Sequence, residues 1–261
     1  MTTNRRFRLL LLFAIVLGLC SLSRAQQQGD TFHWSGKLAA NQLLQIKNIN
    51  GGIDANGTTG ETIDVSAVKS GRDRDQVRVE MVQTGDGVTI CAVYPGGSCT
   101  GDGRSHSHGE IKAQVDFTVK VPRNLRFNAT NVNGHIKAED LGRPAKVTTV
   151  NGGIDVSSAA WVSASSVNGS VKVAMGSADW DGKLKISSVN GSVTLDMPVD
   201  SNAEVHFSSV NGSLDSDFPL NVSGMSFGPK HLHGTIGNGG RELDVSTVNG
   251  SLHIRKGKAA M

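Results

Sequence analysis

The sequence predicts an all-β fold, a single-chain β-solenoid with coils of about 17–22 residues. Three observations carry this expectation. Seven times the chain repeats one phrase: an Ile or Val, then Asn-Gly, then a small residue or His, then an aliphatic residue. Its asparagines are Asn50, Asn133, Asn151, Asn168, Asn190, Asn211 and Asn249. From Asn133 onward the steps between them are 18, 17, 22, 21 and 38, and a fixed period of this kind marks stacked-repeat architectures. The flanking segments, such as Leu184-Lys185-Ile186 and Val193-Thr194-Leu195, alternate apolar and polar residues as strands do, and no stretch carries a helical stripe.

Asn-Gly is also the strongest short hairpin signal, so a meander of tight hairpins is the competing architecture. Turns in such a meander recur every 8 to 12 residues with varied chemistry, whereas one identical turn returns here at about twice that interval. A solenoid accounts for the period, since each coil sets its Asn-Gly above the last and neighbouring strands pair in parallel about 4.8 Å apart. Glycine in this turn suits a positive φ, which Asn also tolerates. Stacked Asn side chains would pass amide hydrogen bonds from coil to coil as a structural turn ladder.

Aligning the copies on Asn exposes the expected inner face. Three residues after it stand Ile53, Ile136, Ile154, Val171, Val193, Leu214 and Leu252; four before it stand Ile46, Ala129, Val147, Ala164, Ile186, Phe207 and Val245. The Val directly before Asn is three residues from that second column, an odd offset that one straight strand cannot turn inward at both positions. Either the intervening Ser/Thr pair marks a bend or bulge, or the Val faces outward. Four after Asn, Lys137, Asp155 and Lys172 would alternate in sign between in-register neighbours, giving control of register rather than an active site. The step of 38 reads as two units, one of them a coil that has lost its Asn-Gly, with Gly234–Gly240 covering it.

Residues 1–25 read as an export signal: Arg5, Arg6 and Arg8, an apolar run from Leu9 to Leu22, and the small-x-small site Ser23-Arg24-Ala25. Cys20 belongs to the apolar run, because Leu19 stands where a lipidation site would carry a smaller residue. Cleavage near Ala25 would leave a periplasmic or extracellular chain that does not span a membrane. The net charge then falls from +3 to −1 with the loss of Arg5, Arg6, Arg8 and Arg24, so nucleic acid is not an expected partner. Residues 26–261 are read as one β-solenoid domain, with an irregular part over 26–120 and regular Asn-Gly coils over 121–255.

Cys91 and Cys99 flank Tyr94-Pro95-Gly96-Gly97, turn chemistry that folds a short segment back, and in an oxidising compartment they suit a local disulfide. The alternative joins them to His106 and His108 as a zinc site, without the paired short spacings of familiar structural sites. His106 and His108, like His231 and His233, are weak metal candidates that lack a third ligand, and no cofactor is called for. Trp161 and Trp180 lie beside the bends of successive coils and could offer flat surfaces to a ligand, although covering a core corner is the commoner use of Trp.

The Val-Asn-Gly-x-Ile phrases, the Val88-Thr89-Ile90-Cys91-Ala92-Val93-Tyr94-Pro95 element and Gly234-Thr235-Ile236-Gly237-Asn238-Gly239-Gly240 together resemble the bacterial putative adhesin family of β-strand-repeat exported proteins, a domain of unknown function. The resemblance spans roughly residues 40–255 and implies a single-chain right-handed β-helix without an established enzymatic activity. It carries no catalytic motif over. The function expected is therefore a non-catalytic cell-envelope or surface adhesion module whose partner is an envelope protein or a glycan. The alternative is a carbohydrate-active β-helix enzyme, a polysaccharide lyase or hydrolase, which requires two carboxyl groups about 5 to 9.5 Å apart. Asp215 with Asp217 and Asp196 with Asp200 are the pairs near enough in sequence.

Overall fold

In a computed structural model of the chain, the described residues are 26–99, 111–220 and 230–257. The export signal, His106 and His108 lie outside them. The first strands are β1 (Gln26–Gln28), β2 (Thr31–Gly36), β3 (Leu43–Lys47), β4 (Ile53–Thr58), β5 (Ile63–Ser70), β6 (Arg78–Thr84), β7 (Gly87–Val93) and β8 (Gln114–Pro122). Then follow β9 (Arg126–Thr130), β10 (Ile136–Leu141), β11 (Ala145–Thr148), β12 (Ile154–Ser158), β13 (Val162–Asn168), β14 (Val171–Met175), β15 (Lys183–Asn190) and β16 (Val193–Met197). The last are β17 (Ala203–Asn211), β18 (Leu214–Ser216), β19 (Lys230–Ile236), β20 (Arg241–Asn249) and β21 (Leu252–Lys256).

These strands form two sheets, one of 11 strands in the order β1-β2-β5-β8-β4-β10-β12-β14-β16-β21-β18 and one of 10 in the order β19-β17-β20-β15-β13-β11-β9-β3-β7-β6. From β9 to β16 the chain alternates between the sheets, one strand in each, and every strand pairs in parallel with its counterpart one coil away. The Asn-Gly phrase joins the two strands of a coil and forms no hairpin. Antiparallel strands occur where the stack stops: β1, β2 and β5 beside β8, β6 beside β7, and β19 beside β17.

The core lies between the sheets, where Ile46, Ile136, Val147, Ile154, Ile186, Leu195, Val245 and Ile254 are each at most 2% exposed. The odd offset is resolved by turning the Val outward: Val150, Val167, Val189, Val210 and Val248 are between 37% and 49% exposed. The residue two before each Asn is instead buried and polar, and in six of the seven copies, all but Ser209, its side chain donates to a backbone carbonyl of the adjacent coil. Asn131 Nδ2 donates to the Gly51 carbonyl (2.7 Å), Ser166 Oγ to that of Gly152 (2.8 Å) and Ser188 Oγ to that of Gly169 (2.8 Å). A polar column is tolerated inside because it satisfies glycine carbonyls that would otherwise be buried without partners.

The glycines themselves have a cause other than the turn. Among the phrase glycines only Gly51, Gly134 and Gly169 have positive φ, and none of the ladder asparagines does. What the position shares is crowding: a Cβ on Gly152 would strike the carbonyl of Gly134, one on Gly191 that of Gly169, and one on Gly250 that of Gly191. Backbones stack so closely here that no side chain fits between coils.

The gap between Asn211 and Asn249 is not a degenerate coil in sequence. After β17 and β18 the chain returns as β19, antiparallel to β17. Residues 237–240 then cross the start of β17, where Asn238 N donates to Asn202 Oδ1 (2.7 Å). Gly237, Gly239 and Gly240, with φ of 58°, 74° and 113°, supply the left-handed turns that this crossing needs. β20 and β21 finally enter between β15–β16 and β17–β18, pairing in parallel on both sides. The other end mirrors this, since β3 and β4 lie between β7–β8 and β9–β10.

Candidate functional site

The outer face of the second sheet is built from the residue five before each Asn, so register alone decides what meets there. Asn128 lies beside Lys146 and Lys146 beside Ser163; Ser163 Oγ donates to the Lys185 carbonyl (3.0 Å), and Lys185 faces Asp244. Short Ser163 between two long lysines leaves a dip. Trp161, just before β13, walls it, half-buried and packed on the core. The resulting cleft encloses about 380 Å³ and also touches Arg126, Asp181 and Lys183.

The charges around it divide sharply. Arg126 is held by Asp86 (2.6 Å) and by the Asn41 carbonyl (2.7 Å), and Lys183 by Asp244 (3.3 Å) and Glu242 (4.0 Å). Lys146 and Lys185 are exposed and make no side-chain ion pair among the described residues. The arrangement can hold an anionic group above Ser163 and a flat face against the indole.

Trp180 has a different duty. It is 2% exposed, its Nε1 donates to the Glu242 carbonyl (3.0 Å), and Arg241 Nε donates to the Trp180 carbonyl (2.9 Å) while pairing with Asp179. Its ring packs in the core, latches the start of β20 and reaches the cleft only as a small part of its lining. Both tryptophans considered from sequence line the cleft, Trp161 half-buried and Trp180 almost fully buried.

Along the bend, the amides form a single file in spatial order Asn50, Asn133, Asn151, Asn168, Asn190, Asn249, Asn211. Each Nδ2 donates to the preceding Oδ1 at 2.7 to 2.9 Å. Asn50 hydrogen-bonds in turn to the Tyr94 hydroxyl, which donates to the Ala113 carbonyl (3.1 Å). Burial pushes the Tyr94 phenol above its ordinary range, with the Asn50 hydrogen bonds acting in the opposite direction. Cys91 and Cys99 form a disulfide beside this end of the file.

Several other polar groups are tied to one another. On the first sheet Lys137 faces both Asp54 and Asp155, and Asp155 faces Lys172, with Lys172 Nζ 3.7 Å from Asp155. A hydrogen bond from Lys137 to Glu139 and the charges of Glu139, Asp54 and Asp155 hold the Lys137 ammonium above its usual value. Asp215 lies 3.5 Å from His253, and Asp217 accepts from the Lys256 backbone N–H (3.1 Å). His206 and His233 meet edge to face at 4.6 Å, while His231 pairs with Ser208 in the ladder. No three metal-ligating side chains converge among the described residues.

A family model for Toastrack DUF4097 matches residues 35–255. The chain belongs to the Toastrack family. Its fold is similar to that of a putative cell adhesion protein from Clostridium sporogenes ATCC 15579, at 10% identity and a TM-score of 0.48 over 89% of this chain and 100% of that one. It is also similar to a putative adhesin from Bacteroides fragilis NCTC 9343, at 11% identity and a TM-score of 0.37 over 88% and 98% of the respective chains. No curated protein matches it. No helix among the described residues of this Toastrack chain is long and apolar enough to cross a membrane.

Sequence reasoning singled out Trp161 but missed Lys146 and Lys185, which are far apart in the chain. Extending the Asn-based alignment to the column five residues before Asn would have found them, since it reads Lys146, Ser163 and Lys185 in adjacent coils.

Proposed function

We propose that this Toastrack chain is an exported, non-catalytic interaction module of the cell envelope or cell surface, built as one right-handed β-solenoid over residues 26–261. Residues 1–25 act as its export signal, removed near Ala25, and the Asn file from Asn50 to Asn249 serves as a structural ladder. The observation that carries the reading is the outer face of the second sheet, where the open cleft beside Trp161 lies between two lysines that make no side-chain ion pair among the described residues. Repeated extended faces of this kind are how stacked-coil proteins bind. Of the two carboxylate pairs considered for glycoside hydrolysis, Asp215 lies beside His253 and Asp217 accepts from the Lys256 backbone, which weighs against that pair as a catalytic one. Crosslinking and affinity capture from the native envelope test the proposal. A glycan or protein recovered by the intact chain and lost from a Trp161→Ala variant of unchanged thermal stability supports it, and recovery of neither overturns it. Mass measurement of the exported protein, expected to begin at Gln26, tests the export signal.

A further inference from the structure

We infer that the cleft beside Trp161 binds an acidic carbohydrate, with a carboxylated sugar ring laid against the indole and its carboxylate held between Lys146 and Lys185. The inference rests on the interaction reading above and specifies its ligand. Lys146 and Lys185 stand on strands that flank β13, two strand spacings or about 10 Å apart. Their flexible four-carbon stems can bring both ammonium groups over Ser163 to one anion. Ser163 keeps the floor low, and its hydroxyl is already given to the Lys185 carbonyl.

Charge selects the ligand further. The neighbouring cations cannot serve it equally, since Arg126 is held by Asp86 and Lys183 by Asp244 and Glu242. Two carboxylates oppose an anion: Asp181, exposed at the rim, and Asp244, beside Lys185 in register but paired with Lys183. A uronic acid matches the site because one unit presents both an apolar C–H ring face for Trp161 and a carboxylate for the lysines. A neutral sugar offers only the face, and an acidic peptide only the charge.

The test titrates the full mature chain with tri-galacturonic acid, galactotriose and a triglutamate peptide, using tryptophan fluorescence and calorimetry. Trp34 and Trp180 are 3% and 2% exposed while Trp161 is half-buried, so Trp161 is the tryptophan most open to a soluble ligand. Tri-galacturonate is expected to give a saturable signal that weakens with added salt, and galactotriose and triglutamate to give none or a far weaker one. Lys146→Gln/Lys185→Gln, two exposed changes that leave the melting temperature in place, should weaken tri-galacturonate binding by about tenfold or more. Asp181→Asn should tighten it.

Equal binding of galactotriose, equal binding of triglutamate, or unchanged affinity in the double variant each overturns the inference. So does the absence of tri-galacturonate binding. If envelope capture still recovers a partner in that case, the interaction reading survives without the acidic sugar; if it recovers nothing, both fall.

Discussion

In the middle of the stack, from β9 to β16, the order of coils in space is their order in the chain; at both ends it is not. β3–β4 comes early in the chain yet sits one coil inside, covered by the later β7–β8. β20–β21 comes last yet sits inside β17–β18. The coils that carry the phrase nevertheless share the same rungs, and the amide file passes through Asn249 as it does through Asn168. The repeat thus encodes an interface that any coil can present to any other. Position is decided by what closes the ends, namely the antiparallel strands and, at the C-terminal end, the glycine crossing at 237–240.

Removing the inserted coil is the most severe way to break this comparison. A chain ending at Gly240 leaves β17 and β18 without their partners toward β15 and β16, and cooperative folding of the C-terminal third should be lost by circular dichroism and hydrogen exchange. Peptide 241–257 added in trans should restore it, and a truncated chain that melts like the intact one would refute the insertion.

Next in size is Gly191→Ala, which drives a methyl group into the Gly169 carbonyl and should cost about 1–3 kcal/mol in urea denaturation. Gly85→Ala, with open space around it, should stay within about 0.5 kcal/mol. Equal effects would show that crowding is not why the phrase carries glycine.

Asparagines at the middle and the end of the file should then differ. Asn190 donates to Asn168 and accepts from Asn249, whereas among the described residues the Asn211 side chain only donates, to Asn249. At about 1 kcal/mol per hydrogen bond, Asn190→Ala should lose roughly twice what Asn211→Ala loses. Identical losses would argue that the amides do not act as a file.

The smallest effect concerns pH at the Tyr94 end. Burial favours the neutral phenol in the folded state, so stability should fall as pH rises through the unfolded tyrosine value of about 10, and level off once the folded phenol also ionises. Tyr94 is the one tyrosine in the chain, so absorbance near 295 nm reports it alone. Its folded-state ionisation is expected at higher pH than in urea, and Tyr94→Phe should remove this contribution to the alkaline loss.

The all-β class and the repeated coil were legible because identical residues recur at a fixed spacing, and the aliphatic columns at Ile186, Val193 and Leu195 are buried as alternation demands. Coil order was not legible, for the same reason: a repeat identical in every copy says nothing about neighbours. The stretch Gly234–Gly240 was noticed as irregular, but its glycines encode a crossing over β17 and not a worn coil. The outward Val followed from the odd offset, whereas the inward Ser or Thr beside it could be placed only once the Gly carbonyls of the adjacent coil were seen to need donors. In the candidate site, Trp161 stood out by residue type. Lys146 and Lys185 did not, because an exposed lysine is ordinary until register sets two of them around a serine.

The inserted final coil also governs how the molecule carries load. A strand at the rim of a sheet peels away one hydrogen bond at a time, but β21 is gripped by β16 on one side and β18 on the other, and β20 by β15 and β17. Tension applied beyond Lys256 must shear two ladders together in each sheet. A partner tethered through that end would be held by the interior of the stack.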